Sequence, residues 1–502
     1  MKFEFSLHPI DKVSGDFVVV FAYQGKKSYL PTTPFSYIDK KLDGLLSNEL
    51  KSDSYMGKEG EIHLFSTHSK IVGSKAVVVG LGKREEFKEE KMRKALAQLS
   101  HKMRGKVNSY VISPLSKIDS DVAVRRQVQL LSEGVLFGSY SFSNYKKRPE
   151  QFRELEVVIF SNKDKGDVTL MKKGARDAEN VYRGVRVARD LVNEQSATAT
   201  PEHLAKMAKD IARASKNVTC KVYDSAQIEK MGMEAFLGVA RASLSDVPPK
   251  FIYLHYKPKK RTTKKVAIVG KGITFDTGGV SLKPANYMTN MKCDMSGAAA
   301  VLGLFSVIDD VQPSVEVMGL IAATPNVVSS KAYVPGDILR AMNGKTIEVL
   351  NTDAEGRITL ADALSYAVKQ GADEIIDLAT LTGACVVALG DDYAGLFTNN
   401  DTLATKVKEA SNESGERVWE LPMPDEYKKL IESPVADVAN IGSTPYGGAI
   451  TAALFLQEFV EETPWVHLDI AGPAFYEKDF AYGNKGGSGY GVSTLISFLK
   501  HS

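Results

Sequence analysis

Apolar residues recur along this chain in two rhythms, short β-branched runs and longer stretches of helical spacing. DFVVVFAY (16–23), KAVVVGLG (75–82) and ELEVVIFS (154–161) predict buried strands, and EEFKEEKMRKALAQLSHKM (85–103) predicts a helix. SNKDKGD (161–167) breaks the pattern and reads as a linker. A long helix is expected over 168–192, with Val181, Val185, Ala188 and Val192 on one stripe. Thr200 then reads as an N-cap with Pro201 at the first helical position. From about 250 onward strands and helices alternate. KFIYLHY (250–256), KKVAIVG (264–270), VEVMGLIAAT (315–324), KTIEVL (345–350), DEIIDLAT (373–380) and PWVHLDIAG (464–472) predict strands. SGAAAVLGLFSVI (296–308) predicts a helix, and TLADALSYAVKQ (359–370) another, capped by Thr359 and stopped at Gly371.

Such alternation implies an α/β protein of two domains, each a mixed sheet flanked by helices, joined by a long helix. The expected boundaries are an N-terminal α/β domain over 1–167, a connecting helix over 168–192 and a catalytic domain over 193–502. No internal repeat or low-complexity segment interrupts this plan.

Composition changes the picture little. The 502 residues exceed one ordinary domain, and 43% hydrophobic with 25% charged residues allows a sizeable core. A net charge of +3 provides no global attraction to nucleic acid or to a membrane surface. No apolar run is long enough to span a bilayer, and Asp11 and Asp16 interrupt the start, so neither a membrane nor a signal peptide is expected. Cys220, Cys293 and Cys385 fit no disulfide or zinc-ribbon spacing, which points to a reduced, cytoplasmic setting.

The candidate chemistry is acidic. In NTDAEGR (351–357), Asp353, Glu355 and Arg357 alternate at i, i+2 and i+4, so in extended backbone they would project together. Alone, such a triplet is more often a surface salt-bridge strand. VGKGITFDTGGVSLKP (269–284) adds Lys271, Asp276 and Lys283 in what reads as a glycine-rich loop, and MKCDMSGAAAV (291–301) sets Asp294 just before a helix. Four carboxylates, Asp276, Asp294, Asp353 and Glu355, thus gather near strand ends and helix starts. Packed without cations they would repel one another; two divalent cations would cancel their charge. A phosphate loop is excluded by Lys265 and Gly272, which stand where a glycine and a hydroxyl are needed. Phe275 spoils a dinucleotide fingerprint, and no HExxH pair exists. His467, on an apolar strand, reads as a satisfied core histidine.

Those three segments together resemble the leucyl aminopeptidase family. NTDAEGR is similar to its signature, and VGKGITFDTGG, SLKP and the 291–301 segment to its other active-site blocks, in the same order. The likeness continues through DLATLTGA (377–384), ADVANIG (436–442), GGAITAALFL (447–456) and HLDIAGPAF (467–475), covering roughly 180–495. The resemblance implies two adjacent metal sites, for manganese or zinc: a tighter one held by Lys271, Asp276, Asp294 and Glu355, and a more exchangeable one held by Asp276, Asp353 and Glu355. It further implies Lys283 as the electrophile beside the scissile carbonyl and Arg357 as the holder of a bicarbonate that shuttles the proton. Met291, Thr380, Gly383, Ala471 and Ala474 would line the pocket for the substrate's first side chain, with room for leucine. Peptides with a free N-terminus would be the substrates, and a homohexamer the assembly.

Two departures from the family pattern bear on packing and subunit contacts more than on chemistry: GGAI at 447–450, and Ser493 where an arginine is usual. Binding to nucleic acid has only the run Lys257–Arg261 and the series Arg176, Arg183, Arg186, Arg189 in its favour, without interleaved aromatic residues. It is not expected.

Overall fold

Burial on both faces explains why the two central N-terminal strands, Phe17–Gln24 and Lys75–Lys83, are near-continuous apolar runs instead of alternating. The computed structural model describes residues 1–147, 149, 151–259 and 262–502, so Lys260 and Arg261 of the basic run lie outside the described residues. Strands β1 (Lys2–Ser6), β2 (Phe17–Gln24), β3 (Leu30–Pro31), β4 (Ile62–Ser66), β5 (Lys75–Lys83), β6 (Ser109–Ile112) and β7 (Val157–Ser161) form one sheet in the order β1-β7-β6-β2-β5-β4, with β3 beside β2. Its neighbours are parallel except β4 on β5 and β3 on β2. Val18, Val20 and Val78 pack with Phe35 and Leu46 on one face; Val19, Phe21 and Val77 pack with Leu96, Leu99 and Leu131 on the other.

The expected linker is shorter than its composition suggests. Ser161 closes β7, and the long helix begins at Lys165 and runs to Asn193. The Asp164 carboxylate accepts from the Asp167 amide at 2.9 Å, which draws the polar stretch into the first helical turn. The chain divides into two compact units, Met1–Tyr182 with Asp479–Asn484, and Arg183–Lys478 with Lys485–Ser502. The division falls inside the long helix. Within the first unit, Arg104 donates to Asn484 at 2.8 Å, a tie between distant segments that no local pattern signals.

In the second unit the strands are β8 (Val218–Tyr223), β9 (Lys250–Tyr256), β10 (Lys265–Asp276), β11 (Glu316–Asn326), β12 (Ile338–Arg340), β13 (Thr346–Glu348), β14 (Glu374–Ala379), β15 (Tyr393–Thr398), β16 (Arg417–Glu420), β17 (Val438–Ala439) and β18 (Trp465–Asp469). Eight form a mixed sheet in the order β16-β15-β18-β14-β10-β11-β9-β8, while β12, β13 and β17 form a small second sheet. Around β10 the pairing is parallel with both β11 and β14.

Two expectations near the site are corrected. Strand β10 does not stop at Gly270 but continues through Lys271 to Asp276, paired with β11 as far as Asn326. Its glycines mark close packing, not a loop: a Cβ on Gly270 would lie 2.4 Å from the Gly297 carbonyl oxygen, and one on Gly272 2.9 Å from that of Ala322. Nor is NTDAEGR extended. A helix begins at Glu355 and runs to Lys369, so Glu355 and Arg357 stand in its first turn and Thr359 is an interior residue whose hydroxyl donates to the Gly356 carbonyl at 3.0 Å. An acidic residue at a helix start is favoured by the unpaired N–H groups there. The helix does stop where expected, with Gly371 in the left-handed region at φ 72°. KTIEVL is extended only over Thr346–Glu348. The Thr200 cap forms as expected, its hydroxyl accepting from the His203 amide at 3.3 Å.

Candidate active site

Four chain segments of the second unit meet beyond the C-terminal end of β10. The strand itself carries Lys271 and, after an irregularity in its pairing with β11 between Ile273 and Asp276, the carboxylate of Asp276. The loop that follows turns at Gly278 and Gly279, whose φ values of 85° and 63° suit glycine, and returns Lys283 toward Asp276. Asp294 lies in the short turn Met291–Met295 that leads into the helix Ser296–Phe305. Asp353 and Glu355 come from the approach to the helix Glu355–Lys369.

The carboxylates divide between the two lysines. Lys271 Nζ lies 2.8 Å from Asp294 and 2.9 Å from Glu355, and donates to the Thr380 carbonyl at 2.9 Å. Lys283 Nζ lies 2.9 Å from Asp276 and 2.6 Å from Asp353. Asp276, Asp353 and Glu355 each bring a carboxylate oxygen within 4.8 Å of the others. Lys271, Asp276, Asp294 and Glu355 are buried, whereas Lys283 and Asp353 are partly exposed. Six of the seven residues expected from the active-site segments are therefore joined in one cluster, and Arg357 lies buried two residues beyond Glu355 in the same helix.

Several polar residues hold this cradle that the sequence did not single out. Asn326, at the end of β11, donates to Asp276 at 2.8 Å and to the Thr352 carbonyl at 3.0 Å. Tyr333 donates its hydroxyl to the same carbonyl at 2.9 Å. Asn440 accepts from Leu350 N at 2.8 Å, donates to the Asn351 carbonyl at 2.7 Å, and receives Arg357 Nη1 on its own carbonyl at 2.8 Å. Each is a lone polar side chain beside an apolar stretch, and only the geometry gives it a role. ADVANIG, which contains Asn440, was the one available signal.

Burial and mutual repulsion shape the charges. Burial, then Asp276, pushes Glu355 well above the ordinary carboxyl range, with Asp294 adding to the push. Asp294 is raised by burial, against the pull of Lys271. Asp353 is likewise raised by burial and then by Asp276. Burial works against both ammonium groups, but Asp294, Glu355 and Asp276 outweigh it at Lys271, and Asp276 and Asp353 do so at Lys283, so both lysines lie above their usual range. Burial brings Arg357 down to about 10, with Glu355 and Asp469 opposing, which still leaves it charged at neutral pH.

The donor set fits divalent cations. Asp294 Oδ2 and Glu355 Oε2 are buried without any hydrogen-bond partner, a costly condition for a carboxylate that a cation would relieve. Four carboxylates and one amine suit hard or borderline metals. Arg357 Nε is also buried without a partner, an unused donor beside the acids.

Of the five residues expected at the first-side-chain pocket, Thr380 touches the cradle directly, donating to Asp294 at 2.7 Å. Met291 shares the turn of Asp294. Gly383 is exposed and opens the helix Gly383–Leu389, and a Cβ added there would meet nothing within 4 Å. Ala471 and Ala474 follow β18, whose Asp469 is in register with Ala379 of β14, so segments 380–383 and 470–474 leave the sheet side by side. His467 is a core residue as expected, its Nδ1 2.6 Å from Asp377, which also accepts from Trp465 Nε1 at 2.7 Å. All three cysteines are free, and burial pushes the Cys293 thiol up to about 12, so it is no ready nucleophile.

Residues 186–496 match the catalytic domain of the cytosol aminopeptidase family, and residues 18–149 its N-terminal domain. The chain belongs to the cytosol aminopeptidase family. It is 44% identical to a probable cytosol aminopeptidase of Aquifex aeolicus, over 98% of this chain and 96% of that protein. A second relative so named, from Thermosynechococcus vestitus, is 43% identical over 97% and 96%. Among solved structures, a mutant of tomato leucine aminopeptidase superposes with a TM-score of 0.89 at 36% identity, covering 100% of this chain and 97% of that one. The bottromycin maturation enzyme BotP in complex with Mn gives a TM-score of 0.84 at 30% identity, covering 97% and 99%. This member of the family is a hydrolase of the leucyl aminopeptidase type, a metal-dependent aminopeptidase. No described helix is long and apolar enough to cross a membrane.

Proposed function

We propose that this aminopeptidase releases leucine and other apolar residues from peptides with a free N-terminus, using a pair of divalent cations, Mn2+ or Zn2+. Lys271, Asp276, Asp294 and Glu355 would hold the tighter cation, and Asp276, Asp353 and Glu355 the more exchangeable one. The observation that carries this reading is the cradle itself: four acids from three segments converge on one point, and two of their buried oxygens lack a partner. When bound, such cations would supply Lewis-acid polarisation of the scissile carbonyl and lower the pKa of the attacking water.

The chain's own residues do the rest. As a ligand, Lys271 must give up its proton, which a lysine can do and an arginine cannot. Lys283 keeps its proton and, at the mouth of the cradle, donates to the oxygen on which negative charge develops. Arg357, charged and with Nε unused, would hold a bicarbonate that accepts and returns the proton of the attacking water. Thr380 and Gly383, with Met291, Ala471 and Ala474, would receive the first side chain. A cytoplasmic homohexamer is the assembly we infer from the family resemblance.

Hydrolysis of leucyl p-nitroanilide, with chelator and after adding back Mn2+ or Zn2+, tests this directly. Activity should vanish on chelation and return with metal. Metal-loaded enzyme that leaves leucyl substrates intact would refute the proposal.

A further inference from the structure

Asp469 is buried to 1% exposure at the last position of β18, and its carboxylate serves two loops at once. Its Oδ1 accepts from the amides of Leu381 at 3.1 Å, Thr382 at 3.4 Å and Ala471 at 3.2 Å. Its Oδ2 accepts the Thr382 hydroxyl at 2.7 Å, and that hydroxyl in turn accepts from the Cys385 amide at 3.0 Å to cap the helix that Gly383 opens. Four donors from two segments therefore end on one side chain. The segments are those that carry Thr380, Gly383, Ala471 and Ala474. Across the sheet the position opposite Asp469 on β15 is Gly395, where a Cβ would lie 2.8 Å from the Cys385 sulfur.

We propose that Asp469 is a positioning residue that sets the width of the first-side-chain pocket by tying segment 380–383 to segment 470–474. This rests on the aminopeptidase reading above and adds a specificity-determining residue to it. Strand pairing alone brings the loops to the same edge, with Ile470 N donating to the Ala379 carbonyl at 2.8 Å. Beyond that bond, the carboxylate is what joins the two backbones. An aliphatic side chain would leave three amides and a hydroxyl without acceptors, and the loops would separate to reach water. Among the described residues no hydrogen bond or ion pair joins Asp469 to the two lysines or the four acids of the cradle; it acts on the site through segment 380–383, whose Thr380 bonds Asp294 and Lys271, and as a negative charge near Arg357.

The test compares Asp469→Ala, Asp469→Asn and Thr382→Val with the wild type, all metal-loaded, on leucyl and alanyl p-nitroanilides. Asparagine keeps an acceptor for the amides and can donate its own N–H to the Thr382 hydroxyl, so it should rescue. In Asp469→Ala the leucyl-over-alanyl ratio of kcat/KM should fall on the order of tenfold, mainly through a raised leucyl KM. Metal content should stay within about threefold; any change in kcat from losing the charge near Arg357 should be shared by Asp469→Ala and Asp469→Asn, while Asp469→Asn keeps the ratio within about threefold. If Asp469→Ala does not fold, Thr382→Val, which removes the donor to Oδ2 alone among the four, should still lower the ratio. An unchanged ratio in whichever of these two variants folds overturns the proposal, as does an asparagine variant no better than alanine. A wild type that cleaves neither substrate counts against the aminopeptidase reading; altered selectivity with normal wild-type turnover counts only toward Asp469.

Discussion

Lys271 and Lys283 are both lysines among acids, yet their surroundings differ in the way the proposed division of work requires. Lys271 is buried within a strand, between Asp294 and Glu355, where the proposal places a metal ligand. Lys283 sits on a loop, partly exposed, between Asp276 and Asp353, where the proposal places a lasting positive charge. Replacing Lys283 by alanine should leave folding and metal content intact and lower kcat by about 10²–10³-fold; metal analysis beside steady-state kinetics checks both halves. Asp353→Ala should instead cost the exchangeable cation, halving the metal bound per chain after dialysis. A third residue tests the pH balance of the core. Asp362 is buried, and burial pushes it up to about 7 although the backbone amides of Phe236 and Met342 both donate to it and pull the other way. Between the ordinary carboxyl range and about pH 7, the folded state then holds a proton that the unfolded chain has released. The stability owed to Asp362 therefore falls as pH rises through that window and levels off above it. Thermal unfolding from about pH 5 to about pH 8 should show a steeper decline for the wild type than for Asp362→Asn.

At the scale of elements, strand and helix meet through glycines. A Cβ on Gly356, in the first turn of the helix Glu355–Lys369, would lie 2.4 Å from Lys271 Cε and 2.6 Å from its Nζ. Gly356→Ala should favour the isolated helix by about 1 kcal/mol and still damage the enzyme, because Lys271 must move. The expected result is lost metal affinity with little loss of thermal stability, read by titrating metal into apoenzyme. Most elements were legible because apolar runs and caps are local: the strands at 250–256 and 464–472, the Thr200 cap and the stop at Gly371 all form. Where the site lies, local signals misled. Gly270 and Gly272 look like a loop but serve close packing, which only the helix and strand laid against them reveal. The alternation of Asp353, Glu355 and Arg357 suggests a strand, yet the Asp353 amide bonds the Asn351 side chain at 2.8 Å and the chain enters a helix. In both places the expected residues lie near one another, while the backbone beneath them differs from the expectation.

At the scale of the molecule, three of the basic groups that could suggest nucleic acid are engaged elsewhere. Arg183 pairs with Asp310, Arg186 with Asp190, and the buried Arg189 donates to the Ser488 carbonyl at 2.7 Å. Retention on duplex DNA should accordingly be weak and vary little with salt, which a binding series at several ionic strengths would show. Asn326, Asn440 and Asp469 escaped notice in the sequence for a related reason. Each acts across long separations, as Asn440 does on Leu350 and Asn351, and contacts of that range leave no periodic trace. Strand β10 has a further consequence. It is paired on both sides over Val266–Gly270, inside an eight-stranded sheet, and carries Lys271 and Asp276 onward against β11, so the amides of Val266–Gly270 should be among the slowest to exchange with deuterium. The proposed ions could then leave and return without the scaffold melting, and one preparation could be stripped and recharged with different metals in turn, each received by the same frame.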